Sequence, residues 1–137
     1  MRVIVGVDGS PPSAHALGWA CRLAETCGYP VRAVCAWSPG ASGQDWMPPP
    51  GTSAEGQRRA EQMLREAAEQ ARRDHPAVTV ETAAIEGPPA RVLVDLSADA
   101  DLLIVGSRGR GGFSGLLLGS VSQQCVHHAH CPVTVVR

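Results

Sequence analysis

The chain alternates short, almost wholly apolar runs with longer stretches in which apolar residues recur every three or four positions. Residues 2–7 (RVIVGV), 31–37 (VRAVCAW), 102–105 (LLIV) and 132–136 (PVTVV) are too short for globular helices and rich in β-branched side chains, so they predict strands. Residues 78–85 (VTVETAAI) open with apolar–polar alternation, the pattern of a half-exposed edge strand. Between these runs the period lengthens. Residues 10–27 predict a helix with Ser10 as N-cap, Pro11 in its first position, Ala14, Leu17, Cys21 and Ala24 on one face, and Gly28 and Pro30 closing it. Residues 54–74 predict a second, with Ala60, Met63, Leu64, Ala67 and Ala71 inward. Pro88 and Pro89 open a third that runs to about 98, and Ser120 with Gln123 reads as the capping box of a last one to about 129. Residues 38–53, dense in proline and glycine, predict a long loop.

The resulting order, βαβαβαβαβ, predicts an α/β fold: an open five-stranded, mostly parallel sheet with helices on both faces. The runs ending at Val7 and Val105 are the most uniformly apolar and belong at the centre, whereas 78–85 belongs at an edge. Strand order 3-2-1-4-5 satisfies both and sets a topological switch between strands one and four. Ligands of such sheets bind outside the carboxyl ends of the strands at the switch. Asp8 follows strand one there, and a glycine-rich segment follows strand four.

Composition narrows the possibilities. The 137 residues suit one domain, 1–137, with a real core, and a net charge of −1 lacks the basic excess of a nucleic-acid-binding surface. No run reaches membrane-spanning length and Met1 leads straight into a strand without a signal-peptide core, so a cytoplasmic protein is expected. Five cysteines, an odd number with no CxxC pair, do not form a disulfide framework.

The candidate chemistry lies in 101–120, DLLIVGSRGRGGFSGLLLGS: a buried strand, then Gly106, Gly109, Gly111, Gly112, Gly115 and Gly119, then a helix start at Ser120. Glycines let backbone N–H groups approach an anion, and a helix N-terminus supplies open donors and partial positive charge. There is no lysine anywhere, so this is not a P-loop, and GxGxxG fails because Ser114 takes the third glycine position. What remains is Gly106-x2-Gly109-x9-Gly119-Ser120.

With that spacing, the opening VIVGVDGSPPSAHALGWA, the Gly87-Pro88-Pro89-Ala90 helix start and the terminal HAHCPVTVV, the whole chain resembles the universal stress protein family, in its ATP-binding branch. The resemblance implies a Rossmann-like, adenine nucleotide alpha hydrolase-like fold that binds ATP with Mg²⁺ between strands one and four. It implies that Asp8, flanked by Val7 and Gly9, meets the ribose and that the Ala36 backbone meets the adenine edge. Gly106 and Gly109 match ribose and phosphate contacts, with Ser107, Arg108 and Arg110 beside them. Gly119, Ser120 and Val121 match the helix start that holds the polyphosphate. It also implies a homodimer through the terminal strand, 133–136, an apolar edge that a monomer would leave open. The expected function is a nucleotide-dependent regulator in a stress response, with a protein partner the sequence does not identify and with neither nucleic acid nor membrane as partner. It is not expected to be an enzyme, because no residue has a clear claim as general base. The alternatives are a dimeric interaction module that needs no nucleotide and a weak ATPase. Asp8 can also be read as a helix cap, Arg108 and Arg110 as solvated arginines, and Trp46 as a lid or a bystander. His127, His128, His130 and Cys131 read better as a helix C-terminus than as a zinc site.

Overall fold

The apolar runs become strands β1 (Val3–Gly6), β2 (Val31–Trp37), β3 (Val80–Glu86), β4 (Leu102–Gly106) and β5 (Val133–Val136). They form one sheet in the order β3-β2-β1-β4-β5, and every adjacent pair is parallel. The computed structural model describes residues 1–39, 53–108 and 118–137. The helices are α1 (Pro11–Cys27), α2 (Ser53–Asp74), α3 (Pro89–Ser97) and α4 (Ser120–His128). Right-handed crossovers place α1 and α2 on one face of the sheet and α3 and α4 on the other, and each pair is in mutual contact. Val3, Val5, Val31, Val34, Leu103 and Ile104 are almost fully buried, which is why the central runs carry apolar residues at consecutive positions.

Local signals hold where they are self-contained. Ser10 caps α1 by accepting the N–H of Ser13, proline occupies its first turn, and Gly28 ends it in the left-handed conformation at φ 75°. Two expectations are corrected. Ala14 is exposed, and the buried face of α1 runs through Ser13, Ala16, Leu17, Ala20, Cys21 and Ala24 instead. Alanine fits either face, so its spacing alone does not choose. The capping box at Ser120 does not form: the N-cap of α4 is Gly119, with no side-chain cap bond, and Ser120 is the first helical residue. Gly119 N–H donates to Ser107 O at 2.6 Å, and Gly119 O accepts Gln123 N–H at 3.0 Å, the first bond of the helix. No helix among the described residues is long and apolar enough to cross a membrane.

Candidate functional site

At the carboxyl ends of β1 and β4 the chain departs to opposite faces of the sheet, leaving a crevice between the two turns. On the β1 side, Asp8 is 1% exposed and faces the start of α1. Its Oδ1 accepts the N–H of Ser10 at 2.8 Å and also the Ser10 hydroxyl. The Asp8 N–H donates to Ser13 Oγ at 3.2 Å, and the Ser13 hydroxyl donates to Ser10 O at 2.9 Å. Thus Asp8 is a structural anchor for the cap, while the cap itself is Ser10. Gly9 adopts φ 82°, which a side chain would strain, and an added Cβ would come within 3.3 Å of Met63 Cγ. Met63 of α2 therefore stands beside the end of β1.

On the β4 side, Ser107 forms a junction. Its N–H donates to Val136 O at 2.8 Å, and its carbonyl accepts both Gly119 N–H at 2.6 Å and the Ser122 hydroxyl at 3.1 Å. Ser122 also reaches Gly119 O at 3.0 Å. These bonds close the neck of the glycine-rich segment and seat the start of α4 against the end of β4. Gly106 has a steric reason to be glycine: a Cβ there would meet Pro12 O at 2.9 Å and Pro12 C at 3.0 Å. A small cavity of about 10 Å³ lies between Gly6, Ser13, Gly106, Arg108, Val121 and Ser122.

β2 supplies the third wall. Val7 N–H donates to Val34 O and Gly87 N–H to Trp37 O. Alternation along a parallel ladder therefore turns the peptide groups of Val34 and Ala36 toward β1, and those of Cys35 and Trp37 toward β3. The paired register with β1 ends at Gly6↔Val34, and Ala36 lies two residues beyond it with its peptide groups on the β1 side.

The two helix starts that flank the crevice differ. The first turn of α1 is satisfied by Ser10, whereas α4 begins at a glycine without a side-chain acceptor. Of the two, α4 is the start that no side chain of the described residues caps, and the positive end of its dipole lies there too. Of the residues that the resemblance implies, Val7, Asp8 and Gly9 lie just past β1, Ala36 near the end of β2, Gly106, Ser107 and Arg108 at the end of β4, and Gly119, Ser120 and Val121 at the start of α4. Gly109 and Arg110 lie outside the described residues, as do Gly111, Gly112, Ser114, Gly115, Trp46 and most of the predicted loop. The sequence reading missed Ser10 as Asp8's partner, together with Ser13, Met63 and Ser122. Ser13 stands three residues after Ser10, a visible local signal; Met63 and Ser122 are brought in only by the fold.

Elsewhere, a larger cavity of about 340 Å³ opens at the amino ends of the strands, lined by residues that include Arg2, Ile4, Arg32, Glu81 and Asp99, on the far side from the crevice. Asp101 lies at that end too, accepting the Arg2 N–H at 2.5 Å. His127, His128 and His130 are exposed, and no group of three or more His, Cys, Asp or Glu suited to a metal occurs among the described residues. All five cysteines are free thiols, and burial pushes Cys21 and Cys125 up to about 11.

The model of the Universal stress protein family matches residues 1–137. A universal stress protein of Mycobacterium tuberculosis is 41% identical over 136 residues, covering 98% of this chain and 45% of the relative. Another from the same organism is 38% identical over 138 residues, covering 98% and 46%. The chain thus spans about half the length of these curated relatives. Among solved structures, a universal stress protein in complex with cAMP has a TM-score of 0.77 at 27% identity, with 100% of this chain and 97% of the other covered. UspA from Lactobacillus plantarum has a TM-score of 0.81 at 21% identity, with the same coverage, and shows the shared fold.

Proposed function

This chain belongs to the universal stress protein family, and from that premise we propose that it binds ATP, with Mg²⁺, in the crevice between β1 and β4 and uses the bound state to regulate a partner in a stress response. The observation that carries this is the start of α4: an N-terminus without a side-chain cap, fastened to β4 through Ser107 and facing the end of β1. Such a start is a ready anion site. Gly119, Ser120 and Val121 would hold the phosphates there, with Ser107 and Arg108 at the neck and Gly109 and Arg110 in the segment between. The N–H and C=O of Ala36 would read the adenine edge, and Val7, Asp8, Gly9 and Gly106 would border the ribose. The cavity of about 10 Å³ has room for about one oxygen-sized group, so the nucleotide would lie across the open crevice rather than inside it. The relative crystallised with cAMP supports an adenine ligand. The acidic residues Asp99 and Asp101 sit at the other end of the sheet, which favours binding over turnover.

Calorimetric titration of the purified protein with ATP, and chromatography of nucleotide released on denaturation, test this directly. Heat with ATP that is weaker with GTP is expected. Neither released nucleotide nor heat at millimolar ATP would defeat it.

A second role rests on a different observation. β5 closes one side of the sheet with Val133 and Val135 half-buried, an apolar edge suited to pairing with the same strand of a second copy. Replacing Gly119 and Ser120 with bulky residues should abolish nucleotide binding and leave the dimer intact. A function that survives this change would belong to an interaction module independent of nucleotide.

A further inference from the structure

The sheet has a second edge, β3, and it differs from β5. Val31 N–H donates to Thr79 O and Gly87 N–H to Trp37 O at the two ends of the β2–β3 ladder. By parallel alternation, Glu81, Ala83 and Ile85 turn their peptide groups to β2, while Val80, Thr82, Ala84 and Glu86 turn theirs outward. Two side chains of α2 reach over this rim. Arg72 Nη2 donates to Val80 O at 2.5 Å, and Gln57 Nε2 donates to Ala84 O at 3.2 Å. Gln57 is itself held in place, because its Oε1 accepts Trp37 Nε1–H at 2.6 Å and its Nε2 also reaches Glu61.

β5 has no such cover among the described residues. Leu103 N–H donates to Pro132 O and Ser107 N–H to Val136 O, which turns Val133 and Val135 outward. No side chain of the described residues is bonded to their peptide groups.

We propose that Gln57 and Arg72 close the β3 edge against strand addition by a second copy of this chain, so that copies meet through β5 alone and assembly stops. A bare edge strand is a template for another chain. An incoming strand needs the outward carbonyls in sequence, and here the first and third of the four, Val80 and Ala84, already accept a side-chain donor. Symmetry gives this a consequence. A β5–β5 contact is isologous and closes on itself, whereas a chain with two usable edges propagates. The two α2 side chains thus make the difference between a finite assembly and an open one.

The test is the double variant Gln57→Leu/Arg72→Met, followed by light scattering across a concentration series. Leucine and methionine keep the bulk of each side chain and remove the donors. Mass that grows with concentration is expected, and adding Thr82→Pro should return it to the parental value. Proline suits this position because the Thr82 N–H faces outward and makes no ladder bond. An unchanged mass in the folded double variant, or growth that persists with proline at 82, would overturn the proposal. Should the double variant unfold, Arg72→Met alone, which leaves the Trp37–Gln57 bond, is measured the same way. Thr82→Pro in the parent chain must keep both fold and mass; its unfolding would refute the outward orientation. The length of the assemblies rests on the β5 pairing proposed above. With that pairing the double variant forms long chains, and without it only dimers through β3, so the two readings fail separately.

Discussion

Gly106 lies where the core, the start of α1 and the candidate crevice meet, and replacing it with alanine tests all three. The added Cβ would stand 2.9 Å from Pro12 O, 3.0 Å from Pro12 C and 3.2 Å from Pro12 Cβ. The first two of these are backbone atoms. Pro12 is in the first turn of α1, which is anchored by Ser10 and Asp8, so the obstacle cannot swing aside as a side-chain tip would. Overpacking of this kind costs about 1–3 kcal/mol. With an unfolding entropy of roughly 2.1 cal/mol/K per residue, a chain of this size loses about 3–4 °C in Tm per kcal/mol, or about 3–10 °C in all. Gly6→Ala is the control. Its Cβ would also find an atom at 2.9 Å, but that atom is Leu93 Cδ1, the end of a side chain with other rotamers. Thermal and urea unfolding of both variants should therefore rank Gly106→Ala as the more destabilised. Nucleotide affinity should fall only in Gly106→Ala, because only there does the start of α1 move relative to β4. Equal or reversed ranking would refute the claim that α1 is seated rigidly on the end of β4.

Four further outcomes are expected. Ser122→Ala removes a buried hydroxyl that bonds Ser107 O and Gly119 O, but both carbonyls keep a backbone donor. It should cost about 1 kcal/mol in urea unfolding while speeding amide exchange at Gly119. Gly18→Ala places its Cβ 3.8 Å from Arg22 Nη1 inside α1, an ordinary contact, and should stabilise by roughly 0.5–1 kcal/mol. The Tyr29 hydroxyl is buried with no hydrogen-bond partner among the described residues, so Tyr29→Phe should be neutral or stabilising, by up to about 1 kcal/mol, in the same assay. Cys21 and Cys125 are raised from 9.0 to about 11, chiefly by burial. Their neutral thiols therefore contribute stability that is fully present below pH 9 and is lost as pH rises through 11. The urea midpoint should fall across that window, and fall less in Cys21→Ala/Cys125→Ala. Burial also raises Cys131 and Tyr29, which add to the fall and leave a remainder in the double variant.

Much of the fold was legible in order along the chain because its determinants are local or periodic. The buried central runs, the alternating edge run, the Ser10 cap with its proline, and the left-handed Gly28 each depend on a few neighbouring residues. The convergence of Asp8 with the glycine-rich segment followed from strand order, which the apolar character of each run was enough to imply. For the candidate site, strand order placed only the ends of β1 and β4 at the crevice. Asp8 and the glycine-rich segment come from strand order, whereas Ala36 and the roles of the single residues come only from the resemblance to the family.

What the sequence by itself determined, then, was which segments are strands and helices, their parallel arrangement and the place of the crevice. These follow from hydrophobic period and chain connectivity. Tertiary structure alone decided the rest. It set the cap of α4 at Gly119 rather than Ser120, with the Gly119 N–H bonded to Ser107 O at the end of β4. It brought Met63 to Gly9 and gave Gly106 a steric purpose in Pro12. It also placed Gln57 and Arg72 over the outward carbonyls of β3. Each of these depends on distances between elements that no spacing along the chain encodes, and is set only when the sheet and helices pack together.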